Sequence, residues 1–129
     1  MPELKLTLES ASVLPGESLR GRVSWQCSKT PRKLVLGLRW RTESQGTPET
    51  GLIGELHLPY ESASGETDFE IEVPWLAPPT YRGRLLSILW RLELRADLDS
   101  WINPEIVEDI EIRGARFPEK LLSEAAGTE

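Results

Sequence analysis

Cysteine and histidine each occur once in this 129-residue chain, and long apolar runs are missing. A single cysteine, Cys27, rules out an intramolecular disulfide and points to a reducing compartment. A chain of this length can bury about two thirds of the surface it exposes when unfolded, so its core needs neither a disulfide nor a metal. The lone histidine, His57, leaves no imidazole pair for metal binding or for an acid–base couple. No apolar stretch approaches the ~18 residues that cross a bilayer. The start, Met1-Pro2-Glu3-Leu4-Lys5, lacks the apolar run of a secretory signal. A cytoplasmic protein without membrane insertion is the expectation. Basic residues are outnumbered 15 to 21, for a net charge of −6. That balance disfavours nucleic acid, whose phosphates demand clustered Lys and Arg, and an anionic membrane surface.

What the chain does have is a period of two. Leu19, Gly21, Val23, Trp25 and Cys27 alternate with Arg20, Arg22, Ser24 and Gln26, as in a half-buried strand. The same alternation runs through Leu4–Leu8, Leu34–Thr42, Leu52–Leu58, Phe69–Val73 and Leu86–Ala96. Ile106, Ile110 and Ile112 share a face that Glu108 interrupts, which suggests a bulge or a strand crossing the sheet's rim. Proline, glycine and serine clusters separate the runs: Leu14-Pro15-Gly16-Glu17, Ser28–Pro31, Ser44–Pro48 and Ser62–Gly65.

Seven short strands with turns between them predict an all-β, immunoglobulin-like antiparallel β-sandwich. It spans residues 1–113, with a tail at 114–129 that Pro118 could open as a short helix to about Ala126. An immunoglobulin-type pairing puts strands one, two, five and four in one sheet and three, six and seven in the other. Charge supports part of it. Arg20 and Arg22 would face Asp68, Glu70 and Glu72, and Arg91 and Arg95 would lie near Asp109 and Glu111.

The segment Phe69–Ala96 carries a more specific pattern. Its corner Pro78-Pro79-Thr80-Tyr81-Arg82-Gly83, followed by Leu86-Ser87-Ile88-Leu89-Trp90-Arg91-Leu92, resembles the P-S-Y-x-G and I-x-W/Y-x-L signature of arrestin-like domains. Threonine stands at Thr80 where the family usually has serine, and Leu19–Trp25 is similar to the family's L-x-G-x-V stretch. The resemblance covers about a third of the chain. It implies a single arrestin-type sandwich, similar to one half of the two-sandwich sporulation-control proteins of bacteria, and a protein–protein adaptor role. Tyr81 matches the family tyrosine and is expected to pin the corner, with Gly83 allowing a close approach. The first strand has Lys5 as its one lysine, so the phosphate sensing of some family members does not carry over.

Candidate chemistry is sparse. A Cys27–His57 dyad is the one nucleophile pair these residue types allow. Cys27 falls on an inward position and His57 on an outward one, so neither is assigned to catalysis. The acidic run Glu105, Glu108, Asp109 and Glu111 reads as a solvated strand face and not a calcium loop. No catalytic, metal or cofactor residue is predicted. Trp25, Trp40 and Trp90 fall on inward positions and are expected in the core. Trp75 and Trp101 lie outside the alternating runs. The expectation is a non-enzymatic interaction module, adaptor or scaffold. Its partner surface would be the edge of the first strand (Leu4, Leu6) or the loop-end aromatics Trp75, Tyr81 and Trp101. Homo-oligomerisation through an edge is its simplest form. The alternative is a carbohydrate-binding sandwich that stacks sugars on Trp75 or Trp101.

Overall fold

A computed structural model of the chain describes residues 3–98 and 103–114. The alternating runs become nine strands: β1 (Glu3–Leu8), β2 (Ser12–Val13), β3 (Ser18–Gln26), β4 (Lys33–Ser44), β5 (Thr50–His57), β6 (Ser64–Glu72), β7 (Tyr81–Arg82), β8 (Leu86–Asp97) and β9 (Glu105–Ile112). All seven predicted strands are present, and the two additions, β2 and β7, are two-residue strands. Helix is absent among the described residues. Trp101 and the Pro118–Ala126 segment lie outside them.

One sheet has the order β1-β3-β6, and the other β2-β9-β8-β4-β5, with β7 paired to the start of β8. The inward faces of the two sheets close on each other. Leu19, Val23, Leu36, Leu38, Leu92, Leu94, Ala96 and Ile112 have no exposed surface. Trp25 and Trp90 are buried, and Trp40 is half-buried against the same core. Trp25 sends its indole N–H to the Ser62 carbonyl at 3.1 Å, so the polar atom of the ring stays satisfied.

The predicted charge pairing across β3 and β6 holds. Arg20 lies opposite Glu70 and 3.3 Å from it, and Arg22 lies opposite Asp68 at 2.9 Å. The hydrogen bond from Arg20, a second from Ser18 and the arginine's charge hold the Glu70 carboxyl below its ordinary value. On the other sheet Arg91 faces Asp109 as expected, but Arg95 faces Glu105 and not Glu111.

Two expectations need correction. The immunoglobulin-type pairing puts the strand Leu52–Leu58 in the sheet of β6, whereas β5 pairs with β4. The connection between them is residues 45–49, short enough to make a hairpin the nearest available pairing. Thr42 closes it by donating its N–H to the Glu49 carbonyl at 2.8 Å and accepting the Glu49 N–H on its hydroxyl at 2.9 Å. The alternation puts Leu52 inward with Gly54, Leu56 and Leu58, but it is exposed. Leu38 pairs with Gly54 but Arg39 pairs with Leu52, so Ile53 is skipped. A one-residue slip moves every later side chain to the other face. Glu108 faces Leu92 on the core side of β9 without a shift in register, yet it is exposed. The strand therefore runs past the rim of the facing sheet there.

The outer face of the larger sheet holds a tight ion network. Arg39 and Arg91 are directly opposed across β4 and β8. Glu93 lies between them, 2.9 Å from Arg39 and 3.5 Å from Arg91, with its side chain only 14% exposed. Glu93→Gln is expected to leave two facing guanidinium groups uncompensated and to cost about 1–3 kcal/mol in urea unfolding. Arg39→Met in the same background should recover part of that loss.

Candidate functional site

The proline corner is where local sequence becomes a built structure. Pro78 and Pro79 cannot donate to a ladder, so the chain leaves sheet pairing after β6 and needs other anchors. It has three. The indole N–H of the buried Trp90 donates to the Pro78 carbonyl at 2.9 Å. Thr80 donates its N–H to the Ile112 carbonyl at 2.7 Å and accepts the Ile112 N–H on its hydroxyl at 2.8 Å. Tyr81 lies over Gly83, where a Cβ would come within 2.4 Å of the ring, so the close approach expected of Gly83 is present. The hydroxyl at position 80 thus does the work that a serine there could also do. Thr80→Ser is expected to keep wild-type stability within about 0.5 kcal/mol, and Thr80→Val to lose about 1–2 kcal/mol by orphaning the Ile112 N–H. Chemical denaturation of the two variants checks this.

Beyond the corner, the end of the sandwich is apolar and open. Trp75 is 77% exposed, Leu76 95%, Leu85 67% and Tyr81 55%. Trp75 is not loose. It lies over the turn at Gly16, where a Cβ would sit 2.6 Å from the ring and φ is 87°. A side chain at position 16 would be both strained and in collision, so this turn needs glycine to seat the tryptophan.

The sheet edges form the second candidate surface, and there the structure refines the prediction. Leu4 and Leu6 have their side chains in the core, so those side chains are not a contact surface. Their backbone groups are oriented differently. Glu9 donates its N–H to the Arg20 carbonyl, and the unbroken register of β1 then makes the odd residues the ones bonded to β3. The N–H and C=O groups of Leu4, Leu6 and Leu8 point to the free side. The other edges are defended. β6 points residues 66, 68, 70 and 72 outward from β3, and these are Glu66, Asp68, Glu70 and Glu72. β5 carries the bulge at Ile53, and β9 is covered at Glu111 and Ile112 by β2 and carries Glu108 at its rim. Bulges, like charges and inward charges all discourage strand addition. β1 carries Glu3, Lys5 and Thr7 on its outer face but has no bulge, no run of like charges and no inward charge.

The remaining polar candidates do not converge. Cys27 is half-buried at the end of β3, and burial pushes its thiol up, away from the reactive thiolate. His57 is exposed on β5 and lies 3.3 Å from Glu55. Among the described residues, groups of three or more His, Cys, Asp or Glu that could hold a metal ion do not occur. No helix of the described residues is long and apolar enough to cross a membrane. Sequence reasoning missed the exposed leucines Leu76 and Leu85 beside the corner and the arginines Arg82 and Arg84, which have no ion-pair partner among the described residues. The absence of any acidic residue from Val73 to Leu92 was the signal available for them.

No protein-family model and no curated protein matches the chain. Among solved structures it superposes on Spo0M, a sporulation control protein from Bacillus subtilis, with a TM-score of 0.73 at 16% identity. That match covers 98% of this chain and 55% of Spo0M, so the chain spans about half the length of that protein. A β-glucosidase from Listeria innocua in complex with gluconolactone aligns with a TM-score of 0.50 at 21% identity, over 91% of this chain and 16% of the enzyme. At such identities the shared property is the fold. With its two facing sheets, antiparallel except for the short parallel β2–β9 pair, and its anchored proline corner, the chain has the arrestin-like β-sandwich fold of Spo0M.

Proposed function

We propose that the chain is a non-enzymatic protein-interaction module that accepts a strand of its partner on the free edge of β1. The observation that carries this reading is the contrast among edges. β1 presents the backbone groups of Leu4, Leu6 and Leu8 with no bulge and no inward charge, while β5 is bulged, β6 carries a row of acidic residues and β9 is partly covered by β2. Main-chain hydrogen bonds along such an edge supply affinity, and outward side chains supply selectivity. The likeness to Spo0M supports a regulatory adaptor over an enzyme, because that protein is described as controlling sporulation.

The test separates the β1 backbone from its side chains. Cys27 offers a ligation junction, so residues 1–26 can be made with N-methyl-leucine at position 6 and joined to the rest. Crosslinked capture from the native lysate should then lose the partner that the unmodified protein recovers, while the Leu6 side chain stays in place. Retention of that partner by the N-methylated protein would remove β1 as the docking edge. Recovery of a second copy alone, lost on N-methylation, would define the module as a self-assembling one.

One observation favours a second reading, a sugar-binding sandwich. Trp75 rests one face on Gly16 and leaves the rest of its ring in solvent, a flat platform on which a pyranose could stack. Titration with a panel of soluble oligosaccharides should shift tryptophan emission if this reading holds. Unchanged emission across the panel sets it aside.

A further inference from the structure

We propose that the loop end of the sandwich docks on an anionic lipid surface. The net charge of −6 argues against such a surface only if charge is spread evenly, and it is not. Arg20, Arg22, Arg39, Arg41, Arg91 and Arg113 each lie within 3.6 Å of a carboxylate oxygen. Arg82 and Arg84, in and just after β7, have no such partner among the described residues. The stretch Val73–Leu92 that contains them has no acidic residue. Two nearby carboxylates are already engaged, Glu17 by Arg113 and Glu43 by Arg41.

The apolar groups at this end have the shape that suits a lipid. Leu76 and Leu85 are 95% and 67% exposed, standing out from turns instead of lining a groove. A protein partner would need a pocket for each tip, whereas a bilayer interface admits them wherever they fall. Trp75 and Tyr81 flank them, and tryptophan and tyrosine favour the boundary between headgroups and hydrocarbon because one part of the ring is apolar and the other polar. The tips are held in place by the seat of Trp75 on Gly16 and by the Thr80–Ile112 hydrogen bonds. Docking would therefore not have to order a loose segment first. Two arginines without a carboxylate partner among the described residues add attraction to an anionic leaflet that decays within a Debye length and is weakened by salt. This surface uses no residue of β1, so the inference stands or falls independently of the strand-addition reading.

Vesicle co-sedimentation tests it. The full chain is mixed with phosphatidylcholine vesicles containing about 30% phosphatidylglycerol and, separately, with pure phosphatidylcholine vesicles. The protein should pellet with the anionic vesicles, and high salt should release it. Arg82→Glu/Arg84→Glu should reduce binding about tenfold or more, given the contribution of each cation near such a surface. Leu76→Asp/Leu85→Asp should reduce it comparably. All four side chains are exposed, so circular dichroism should show both variants folded. Failure to pellet with anionic vesicles, equal binding to pure phosphatidylcholine, or unchanged binding by either variant would each overturn the proposal.

Discussion

Trp90→Ala is expected to remove about 4–5 kcal/mol, enough to leave much of the population unfolded in a domain of ordinary stability. Trp90 is fully buried, lies between Trp40 on β4 and Ile110 on β9, and so fills the middle of the larger sheet's inner face. Truncation would empty that layer and leave the Pro78 carbonyl without its indole donor. The two parts can be separated. Trp90→Phe keeps much of the volume but not the N–H, and should cost about 2–3 kcal/mol from the lost bond and the smaller ring. The corner should also loosen in Trp90→Phe, seen as faster amide exchange at Thr80 and Ile112. Urea unfolding of both variants measures the energies. A Trp90→Ala protein within 1 kcal/mol of wild type would contradict the packing described, on the scale expected for a buried aromatic.

Gly21→Ala is the second large effect. A Cβ at position 21 would lie 2.1 Å from the Thr7 carbonyl oxygen and 3.0 Å from the Phe69 ring. The nearer obstacle is backbone, so no side-chain rotation relieves it. Either β1 moves away from β3 or the collision remains, and the expected loss is about 3 kcal/mol or more. For a domain of this size that corresponds to roughly 10 °C in Tm. The site of damage is specific. Amide exchange should accelerate along β1 while the β4–β8 ladder keeps its protection. Because β1 carries the proposed docking edge, partner capture should fall with it, even in the fraction that remains folded. A stable Gly21→Ala protein with an undisturbed β1 would refute the close approach of β1 to β3.

Strand positions, their inward faces and the tryptophan core were legible in the sequence because they follow from local alternation, which needs no knowledge of neighbours. The same holds for the β3–β6 pairing, where Arg20 and Arg22 meet Glu70 and Asp68 as their charges required. The corner was legible as a motif, and its threonine hydroxyl proved to be one of its anchors. Other features were not encoded locally. The sheet to which β5 belongs depended on a short connection winning over a distant pairing, and the face of Leu52 depended on a single skipped residue. Arg95 stands opposite Glu105 and not Glu111 because register, not charge alone, decides which residues face each other.

The sequence by itself determined an all-β sandwich with an apolar interior and few groups capable of chemistry, since period-two patterning and composition act residue by residue. The tertiary structure alone decided which surfaces remain open. It turned the side chains of Leu4 and Leu6 into the core while leaving their backbones on a free edge, and it left Arg82 and Arg84 without an ion-pair partner among the described residues, beside exposed Leu76 and Leu85. The physical reason is that an edge, an unpaired charge or an exposed tip is defined by what does not lie next to it, and that is set only when distant strands have found their places.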